Sequence, residues 1–264
     1  MSRTAPTPVL TPISDHPDLK VMVDAPMGNM TTWRIGGPAD FSVRADHPDK
    51  VIAALRWAHD EGLPVTIIGG GSNLLVGDGG IRGLVVIART PGERAEQLLT
   101  ATDLGEAVCV RVAAQAPLTW VGRYCAEHGW AGMEWGSGLP GAIGGATVNN
   151  AGAHGTEMKD HLETVEIALA DGSTETHDKS WLNPTYRHTR LKDSAQPRGV
   201  AVTWVEMLLP KRDPAELQRL ASEHADYRHT TQPTGRCAGS TFTNPPGDFA
   251  GRLIEAAGLK DFTV

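Results

Sequence analysis

Apolar residues recur at helical spacing in several stretches of this chain, which predicts helices at 46–59, 117–128, 214–227 and 248–257. The first helix follows Asp46, a typical N-cap residue, and carries Pro48 in its first turn. Its expected buried stripe consists of Val51, Ile52, Leu55 and Ala58. The last helix is expected to turn its apolar side chains inward, namely Phe249, Leu253, Ile254 and Ala257.

Short apolar runs bounded by glycine or proline predict strands. The predicted strands lie at 64–68, 84–87, 108–112, 165–169, 174–177 and 199–209, and the fifth is a polar run that is placed by the turn before it. Asp171 and Gly172 are typical of a type I′ turn, so the fourth and fifth runs are expected to form a hairpin. Helices and strands do not follow a strict βαβ series, and this order predicts an α+β fold.

Two glycine-rich stretches interrupt this pattern. Residues 136–155 contain seven glycines, and residues 69–73 read Gly-Gly-Gly-Ser-Asn directly after a predicted strand. Consecutive main-chain N–H groups in such a turn form an anion site, although a tight turn could require the same glycines for its backbone alone. The motifs for a P-loop, a nucleophile elbow and a zinc protease are absent, and residues 69–74 lack the third glycine of a Rossmann dinucleotide fingerprint. Two separated loops therefore favour one phosphorylated dinucleotide.

Charge and cysteine content narrow the class of protein. A net charge of −7 over 264 residues disfavours nucleic acid as a partner, and no apolar run is long enough to span a bilayer. The polar N-terminus lacks the apolar core of a signal peptide. Three cysteines without CxxC spacing favour reduced thiols. We therefore expect a cytoplasmic protein that binds neither nucleic acid nor a membrane.

Motif segments spread along the chain resemble the UDP-N-acetylenolpyruvoylglucosamine reductases of peptidoglycan synthesis. In family order they lie at 29–40, 69–76, 138–145 with 150–153, 186–187 and 238–245. The resemblance implies the FAD-binding fold shared with vanillyl-alcohol oxidases, followed by a smaller α+β substrate-binding domain. It also implies that NADPH reduces non-covalently bound FAD and that a hydride then passes to the enolpyruvyl group of UDP-N-acetylglucosamine enolpyruvate, which yields UDP-N-acetylmuramate.

The resemblance also assigns residues. Arg187 would hold the substrate carboxylate and Ser240 would protonate C2, with Tyr186 and Asn244 binding substrate. The cofactor-binding set would be Gly69, Gly70, Gly71, Ser72, Asn73, Leu74, Gly138, Gly141, Gly145, Asn150 and Gly152. A solvated surface arginine and an ordinary turn serine are the simpler interpretations of the two catalytic positions. Thr243 stands where family members commonly carry lysine.

The same comparison predicts the domain organisation. We expect a disordered tail at 1–20, an FAD-binding domain at 21–198 and a substrate-binding domain at 199–264, in a monomer. The family continues to a strand with a catalytic glutamate that has no counterpart before Val264, so the last domain is expected to be truncated. An FAD-dependent alcohol or sugar oxidase of the same fold and a catalytically impaired FAD-binding fragment remain alternatives. The motif at 240–245 favours the reductase over the oxidase.

Overall fold

A computed structural model describes residue 13 and residues 16–193, 199–232, 235–237 and 239–263 of the chain. Most of the predicted tail at 1–20 lies outside these residues. No helix within the described ranges combines the length and the apolar character that crossing a membrane requires.

Strands make up two main sheets and one small hairpin. Within the described ranges they are β1 Met22–Pro26, β2 Pro38–Ala45, β3 Val65–Ile68, β4 Ile81–Ala88, β5 Leu99–Asp103, β6 Ala107–Ala113, β7 Gly152–Ala153, β8 Thr156–Glu157, β9 Leu162–Ala168, β10 Thr174–Asp178 and β11 Ala201–Pro210. The predicted strands are confirmed to within a few residues. The sequence pattern missed β1, β2 and β5, because polar residues interrupt their apolar runs. It also missed the two-residue strands β7 and β8.

The α-helices of the described ranges are α1 Pro48–Asp60, α2 Gly92–Ala95, α3 Leu118–Glu127, α4 Ile143–Val148, α5 Lys179–Leu182, α6 Pro214–Thr231 and α7 Ala250–Ala256. The predicted helices correspond to α1, α3, α6 and α7. At the start of α1 the N-cap is His47, whose side chain accepts from the Asp49 N–H at 3.2 Å, rather than the predicted Asp46. The Asp46 carboxylate instead accepts from Lys50 and Arg94.

The first sheet has the order β1-β2-β4-β3, with β1 antiparallel and the other strands parallel. Because side chains alternate along β4, its residues divide between two faces. Leu84 and Val86 pack with α1 on one face, whereas Val85 and Ile87 pack with Val76 on the other. The second face therefore anchors the glycine loop that follows β3.

The second sheet is antiparallel with the order β10-β9-β11-β6-β5. Val110, Val112, Val205 and Met207 from this sheet share a core with α3 and α4. Strand β11 lies between β9 and β6, so a domain boundary at 198/199 would cut through the sheet. Its neighbours both come from the part predicted as the FAD-binding domain.

The turn between β9 and β10 differs from the predicted type I′ turn. Leu169 N–H donates to the Ser173 carbonyl at 2.8 Å, and Gly172 N–H donates to the Leu169 carbonyl at 2.9 Å. Gly172 has a φ of 81°, but Asp171 has no positive φ, and a type I′ turn requires one at both central residues. The loop is therefore a three-residue loop that ends in a left-handed glycine.

The C-terminal segment packs differently from the prediction. Phe249 is 68% exposed and Leu253 is 43% exposed, and no described residue from 235 onward is buried. The predicted inward face of α7 is therefore wrong for this chain, because no described element covers that face. The segment approaches the rest of the molecule near Asn244, which is half-buried.

Candidate FAD and substrate site

Three chain segments meet at the glycine loop after β3. Thr32 N–H donates to the Gly71 carbonyl at 3.1 Å, and Gly37 N–H donates to the Gly77 carbonyl at 3.0 Å. The Ser72 hydroxyl donates to the Pro140 carbonyl at 3.1 Å. The two glycine-rich stretches, which are far apart in sequence, are therefore adjacent in the fold.

This contact depends on glycine at two positions. Gly71 has a φ of 65°, and a Cβ atom there would overlap the Met30 carbonyl oxygen. A Cβ atom at Gly70 would lie 3.2 Å from the Gly141 Cα atom. Side chains at these positions would push the three segments apart.

Backbone donors remain open along this loop. The N–H groups of residues 70–73 donate to no other group within the described ranges, and neither does the Gly141 N–H. Buried or half-buried N–H groups are nearly always paired, so the open donors of residues 70–72 and of Gly141, none of which is exposed, indicate a binding site for an anion. The loop that was predicted to hold a pyrophosphate fits that group.

Other predicted cofactor residues have different surroundings. Leu74 packs with the cluster of Ile68 and Val76, so it anchors the loop. Gly138 lies against α6, where a Cβ atom would be 3.0 Å from the Ala225 Cα atom. Gly145 is exposed on α4 with open space around its Cα atom, and Asn73 is also exposed. Gly145 and Asn73 therefore leave room for a ligand at the surface of the two loops, whereas Leu74 and Gly138 serve packing.

A cleft of about 500 Å³ lies beyond α4 and contains several of the predicted substrate residues. Tyr186 and Arg187 come from the turn after α5, Gly152 comes from β7, and Asn244 comes from the C-terminal segment. The structure thus brings together residues that are up to 92 positions apart, from 152 to 244. Short helix α4 connects this cleft to the glycine loops.

Arg187 lies at the wall of the cleft in a left-handed conformation with a φ of 57°. Its Nη2 donates to the Gly152 carbonyl at 2.9 Å and its Nη1 donates to the Asn150 carbonyl at 3.4 Å. The guanidinium carbon lies 5.2 Å from the centre of the Tyr186 ring. A guanidinium has five N–H donors, so this arrangement orients Arg187 and leaves donors for an anion.

Lys159 adds a second cation that sequence reasoning did not identify. Its Nζ lies 2.7 Å from Glu157 Oε2, and the hydrogen bond with Glu157 raises the pKa of Lys159. Both residues line the cleft with Arg187. The available signal was the charged sequence Glu-Met-Lys-Asp, which begins two residues after the second glycine-rich stretch.

Ser240 is exposed and is not among the described residues that line this cleft. Asn244 does line it, but its Oδ1 also accepts from the Ala250 N–H at 3.0 Å. Asn150 is buried, and its side-chain amide is hydrogen-bonded to protein groups. Asn150 therefore has no free side-chain donor to offer a cofactor.

A second cleft of about 360 Å³ lies on the other side of Ala153. The imidazole rings of His154 and His224 stack there with their centres 3.9 Å apart, and Tyr227 packs edge-on against His154. Burial, followed by the nearby His224, lowers the pKa of His154. The contact links β7–β8 to α6, and no sequence pattern indicated it.

Among the residues that the structure describes, cysteine and acidic side chains do not form a metal centre. Cys109, Cys125 and Cys237 are all free, and burial raises the pKa of the Cys125 thiol. Within the described ranges, no three His, Cys, Asp or Glu side chains are grouped so that they could hold a metal ion.

Two family models match the chain. Residues 39–178 match the model of an FAD binding domain, which covers both glycine loops and the β7–β8 hairpin. Residues 231–264 match the model of the C-terminal domain of UDP-N-acetylenolpyruvoylglucosamine reductase. The second match covers Ser240 and Asn244.

Curated relatives resemble the chain over most of its length. The UDP-N-acetylenolpyruvoylglucosamine reductase of Anaeromyxobacter sp. strain Fw109-5 is 43% identical over 246 residues, which is 93% of this chain and 73% of the relative. The enzyme of the same name from Chloroflexus aurantiacus is 40% identical over 263 residues, which is 97% of this chain and 83% of the relative.

Among solved structures, one is similar to the chain in both sequence and fold, and another is similar in fold alone. The UDP-N-acetylenolpyruvylglucosamine reductase of Thermus caldophilus is 32% identical, covers 91% of this chain and 80% of its own, and has a TM-score of 0.70. Cholesterol oxidase from B. sterolicum has a TM-score of 0.52 at 19% identity over 77% of this chain and 40% of its own, which shows a shared FAD-binding fold alone. The chain therefore belongs to the UDP-N-acetylenolpyruvoylglucosamine reductase family of FAD-containing oxidoreductases.

Proposed function

We propose that this protein uses NADPH to reduce the enolpyruvyl group of UDP-N-acetylglucosamine enolpyruvate to UDP-N-acetylmuramate, a step of peptidoglycan precursor synthesis. The observation that carries the proposal is the cleft in which Arg187, Tyr186 and Asn244 meet. This cleft is joined through α4 to a loop with open backbone donors. A carboxylate site beside an anion site is what the reaction requires.

The glycine loops would hold FAD. The open N–H groups of residues 70–73 and of Gly141 would donate to its pyrophosphate, and Gly145, where a Cβ atom would meet nothing within 4 Å, would leave space for its rings. Gly138 and Gly152 instead allow close packing against α6 and β8. The chemistry that FAD supplies when bound is hydride transfer between NADPH and the enolpyruvyl group.

Arg187 would bind the substrate carboxylate. Its two hydrogen bonds to carbonyl groups orient the guanidinium, so its remaining N–H groups can donate to carboxylate oxygens as negative charge develops there. Tyr186 packs against the guanidinium and Asn244 faces the same cleft. Lys159 supplies a further positive charge at the cleft wall.

Ser240 would donate the proton to C2 of the substrate. It lies four residues before Asn244 in the same segment, so their Cα atoms are at most about 14 Å apart. Movement of this segment toward Arg187 would bring the hydroxyl to the substrate. A serine hydroxyl is a weak acid, so its role requires hydrogen-bonding partners in the closed site.

The proposal also includes the domain boundary, the oligomeric state and the cellular location of the protein. We place the division between the FAD-binding and substrate-binding domains after α6 rather than at 198/199, because β11 pairs with β6 and β9. We retain the cytoplasmic monomer that binds neither nucleic acid nor a membrane. The net charge of −7 supports the expectation that it binds no nucleic acid, and the three free thiols support a reducing compartment.

Stopped-flow absorbance of the FAD-loaded protein tests the reaction. NADPH should bleach the flavin, and anaerobic UDP-N-acetylglucosamine enolpyruvate should restore its absorbance. Ser240→Ala should leave reduction by NADPH intact and slow the anaerobic reoxidation about 100-fold or more. Ser222→Ala, an exposed serine on α6, serves as the matched control.

Each alternative has its own outcome. Reoxidation of the wild-type flavin by oxygen but not by the enolpyruvyl nucleotide would indicate an oxidase. Reduction by NADPH without reoxidation by either would indicate a binding fragment. Equal slowing of both half-reactions in Ser240→Ala would contradict its role as proton donor.

A further inference from the structure

Asn150 is a buried asparagine whose side chain joins separate segments around Arg187. It is 0% exposed. Its Nδ2 donates to Glu157 Oε2 at 3.0 Å and to the Thr185 carbonyl at 2.9 Å. Its Oδ1 accepts from the Lys159 N–H at 3.0 Å. Both amide donors and the carbonyl oxygen are thus used within the protein.

The backbone carbonyl of Asn150 is one of the two acceptors that orient the Arg187 side chain. Nη1 of Arg187 donates to the Asn150 carbonyl and Nη2 donates to the Gly152 carbonyl two residues on. Asn150 has a φ of 41°, a left-handed conformation that few residues other than glycine and asparagine adopt readily. The orientation of both carbonyls therefore depends on this turn.

The segment that carries Arg187 is held from the same point. Thr185 and His188 exchange backbone hydrogen bonds of 2.9 and 3.2 Å, which close a turn around Tyr186 and Arg187. The Asn150 side chain holds the Thr185 carbonyl at the base of this turn. Asn150 thus holds both the turn that carries Arg187 and the two carbonyl groups that accept hydrogen bonds from its guanidinium.

We propose that Asn150 is the positioning residue for Arg187, and that it acts on the substrate through that guanidinium and not as a ligand of FAD. The proposal rests on the proposed role of Arg187 at the substrate carboxylate. Glu157 is the partner that holds the Asn150 amide in place, and it shares its Oε2 with Lys159.

Asn150→Gly tests the side chain without straining the backbone, because glycine adopts a positive φ freely. Asn183→Gly is the matched control, since Asn183 is an exposed asparagine with a φ of 48°. In Asn150→Gly we expect anaerobic reoxidation by the enolpyruvyl nucleotide to slow about 10- to 100-fold. The Kd of the enolpyruvyl nucleotide should rise. Flavin reduction by NADPH and FAD content should stay within about twofold, as in the control.

A double-mutant cycle separates positioning from a direct role. In an Arg187→Met background, Asn150→Gly should cause less than about threefold further loss, because its target is already gone. Independent, multiplying losses would overturn the proposal, as would loss of FAD from Asn150→Gly alone. If Arg187→Met itself leaves substrate affinity and reoxidation unchanged, the proposed role of Arg187 fails instead.

A spectroscopic readout decides the positioning claim in every case. In arginine-labelled protein, the Nε–Hε resonance of Arg187 is the one that disappears in Arg187→Met. We expect this resonance to shift to the position of a solvated arginine in Asn150→Gly and to stay unchanged in Asn183→Gly. An unchanged resonance in Asn150→Gly would contradict the proposal whatever the kinetics show. If Asn150→Gly does not fold, Glu157→Ala replaces it, because this change removes the partner of the Asn150 amide. A shifted Arg187 resonance in Glu157→Ala would then support the proposal, and an unchanged one would contradict it.

Discussion

Single backbone positions determine whether the site can form. Gly71 approaches the Met30 carbonyl with a φ of 65°, while Asn150 and Arg187 adopt left-handed conformations at 41° and 57°. Each such conformation costs roughly 1–3 kcal/mol for a residue with a side chain, so surrounding contacts have to hold it. Around Asn150 those contacts are its three side-chain hydrogen bonds.

At this scale we predict the effect of Gly71→Ala. A methyl group would strain the positive φ and overlap the Met30 carbonyl, so we expect the free energy of unfolding to fall by about 1–3 kcal/mol. The FAD content should fall with it, because the loop with the open donors has to shift. Thermal unfolding and the ratio of flavin to protein absorbance measure both effects.

Gly77→Ala is the matched control in the same loop, since a Cβ atom there meets nothing within 4 Å and its φ is not positive. It should retain both stability and FAD. Wild-type FAD content in Gly71→Ala would show that the close approach of the segments is not required for binding.

Among the elements, the centre of the antiparallel sheet is cross-linked by charge. Arg111 on β6 donates to Glu166 on β9 at 2.8 Å and to Glu206 on β11 at 3.2 Å. The guanidinium also lies over the Trp204 ring at 4.9 Å. Burial lowers the pKa of Arg111, but its hydrogen bonds and charge interactions with the two carboxylates together outweigh burial and raise the pKa. Long-range pairing of β11 is thus supported on one face by side chains of its two neighbours.

We predict that Arg111→Met destabilises this sheet. It leaves two half-buried carboxylates without their cation, so the free energy of unfolding should fall by about 1–3 kcal/mol. Arg219→Met, which breaks an exposed pair with Glu223 on α6, should cost less than about 1 kcal/mol. Urea unfolding of both variants makes the comparison, and equal losses would mean that the sheet network adds nothing.

At the scale of the whole molecule, the two glycine-rich loops are attached to different sheets. The loop after β3 is anchored by the first sheet through Val76 and Ile68. Gly144 N–H donates to the Ala114 carbonyl beside β6, so the second glycine stretch is attached to the other sheet. A ligand that spans both loops would therefore stabilise both halves of the fold.

We accordingly predict that removing FAD lowers the melting temperature of the whole protein in one cooperative transition. At a free FAD concentration 100 times its Kd, binding adds about 2.7 kcal/mol, which corresponds to roughly 5–10 °C for a chain of this size. Calorimetry of the apoprotein before and after adding FAD measures it. A melting temperature that FAD does not move would contradict a site shared by the two halves.

Local physical rules account for what could be predicted. Three of the four residues in the predicted stripe of α1 are buried, as helical periodicity indicates, and the fourth, Ile52, is half-buried. Strands β6 and β11 follow from their apolar runs. Where local rules competed, the prediction erred: His47 replaced Asp46 as the cap because Lys50 and Arg94 bind the Asp46 carboxylate. The face of α7 remained exposed because periodicity shows which residues align but not whether anything covers them.

The sequence by itself determined the family, the FAD cofactor and the two glycine loops, because these depend on residue types in a fixed local order. Only the tertiary structure decided which groups meet. Thirty-five positions separate Arg187 from the Gly152 carbonyl that it binds, and 70 separate His154 from the His224 ring on which it stacks. Such contacts arise from the packing of whole helices and strands, and no local sequence pattern indicates them. For the same reason, the part of Asn150 in holding Arg187 became visible only in the fold.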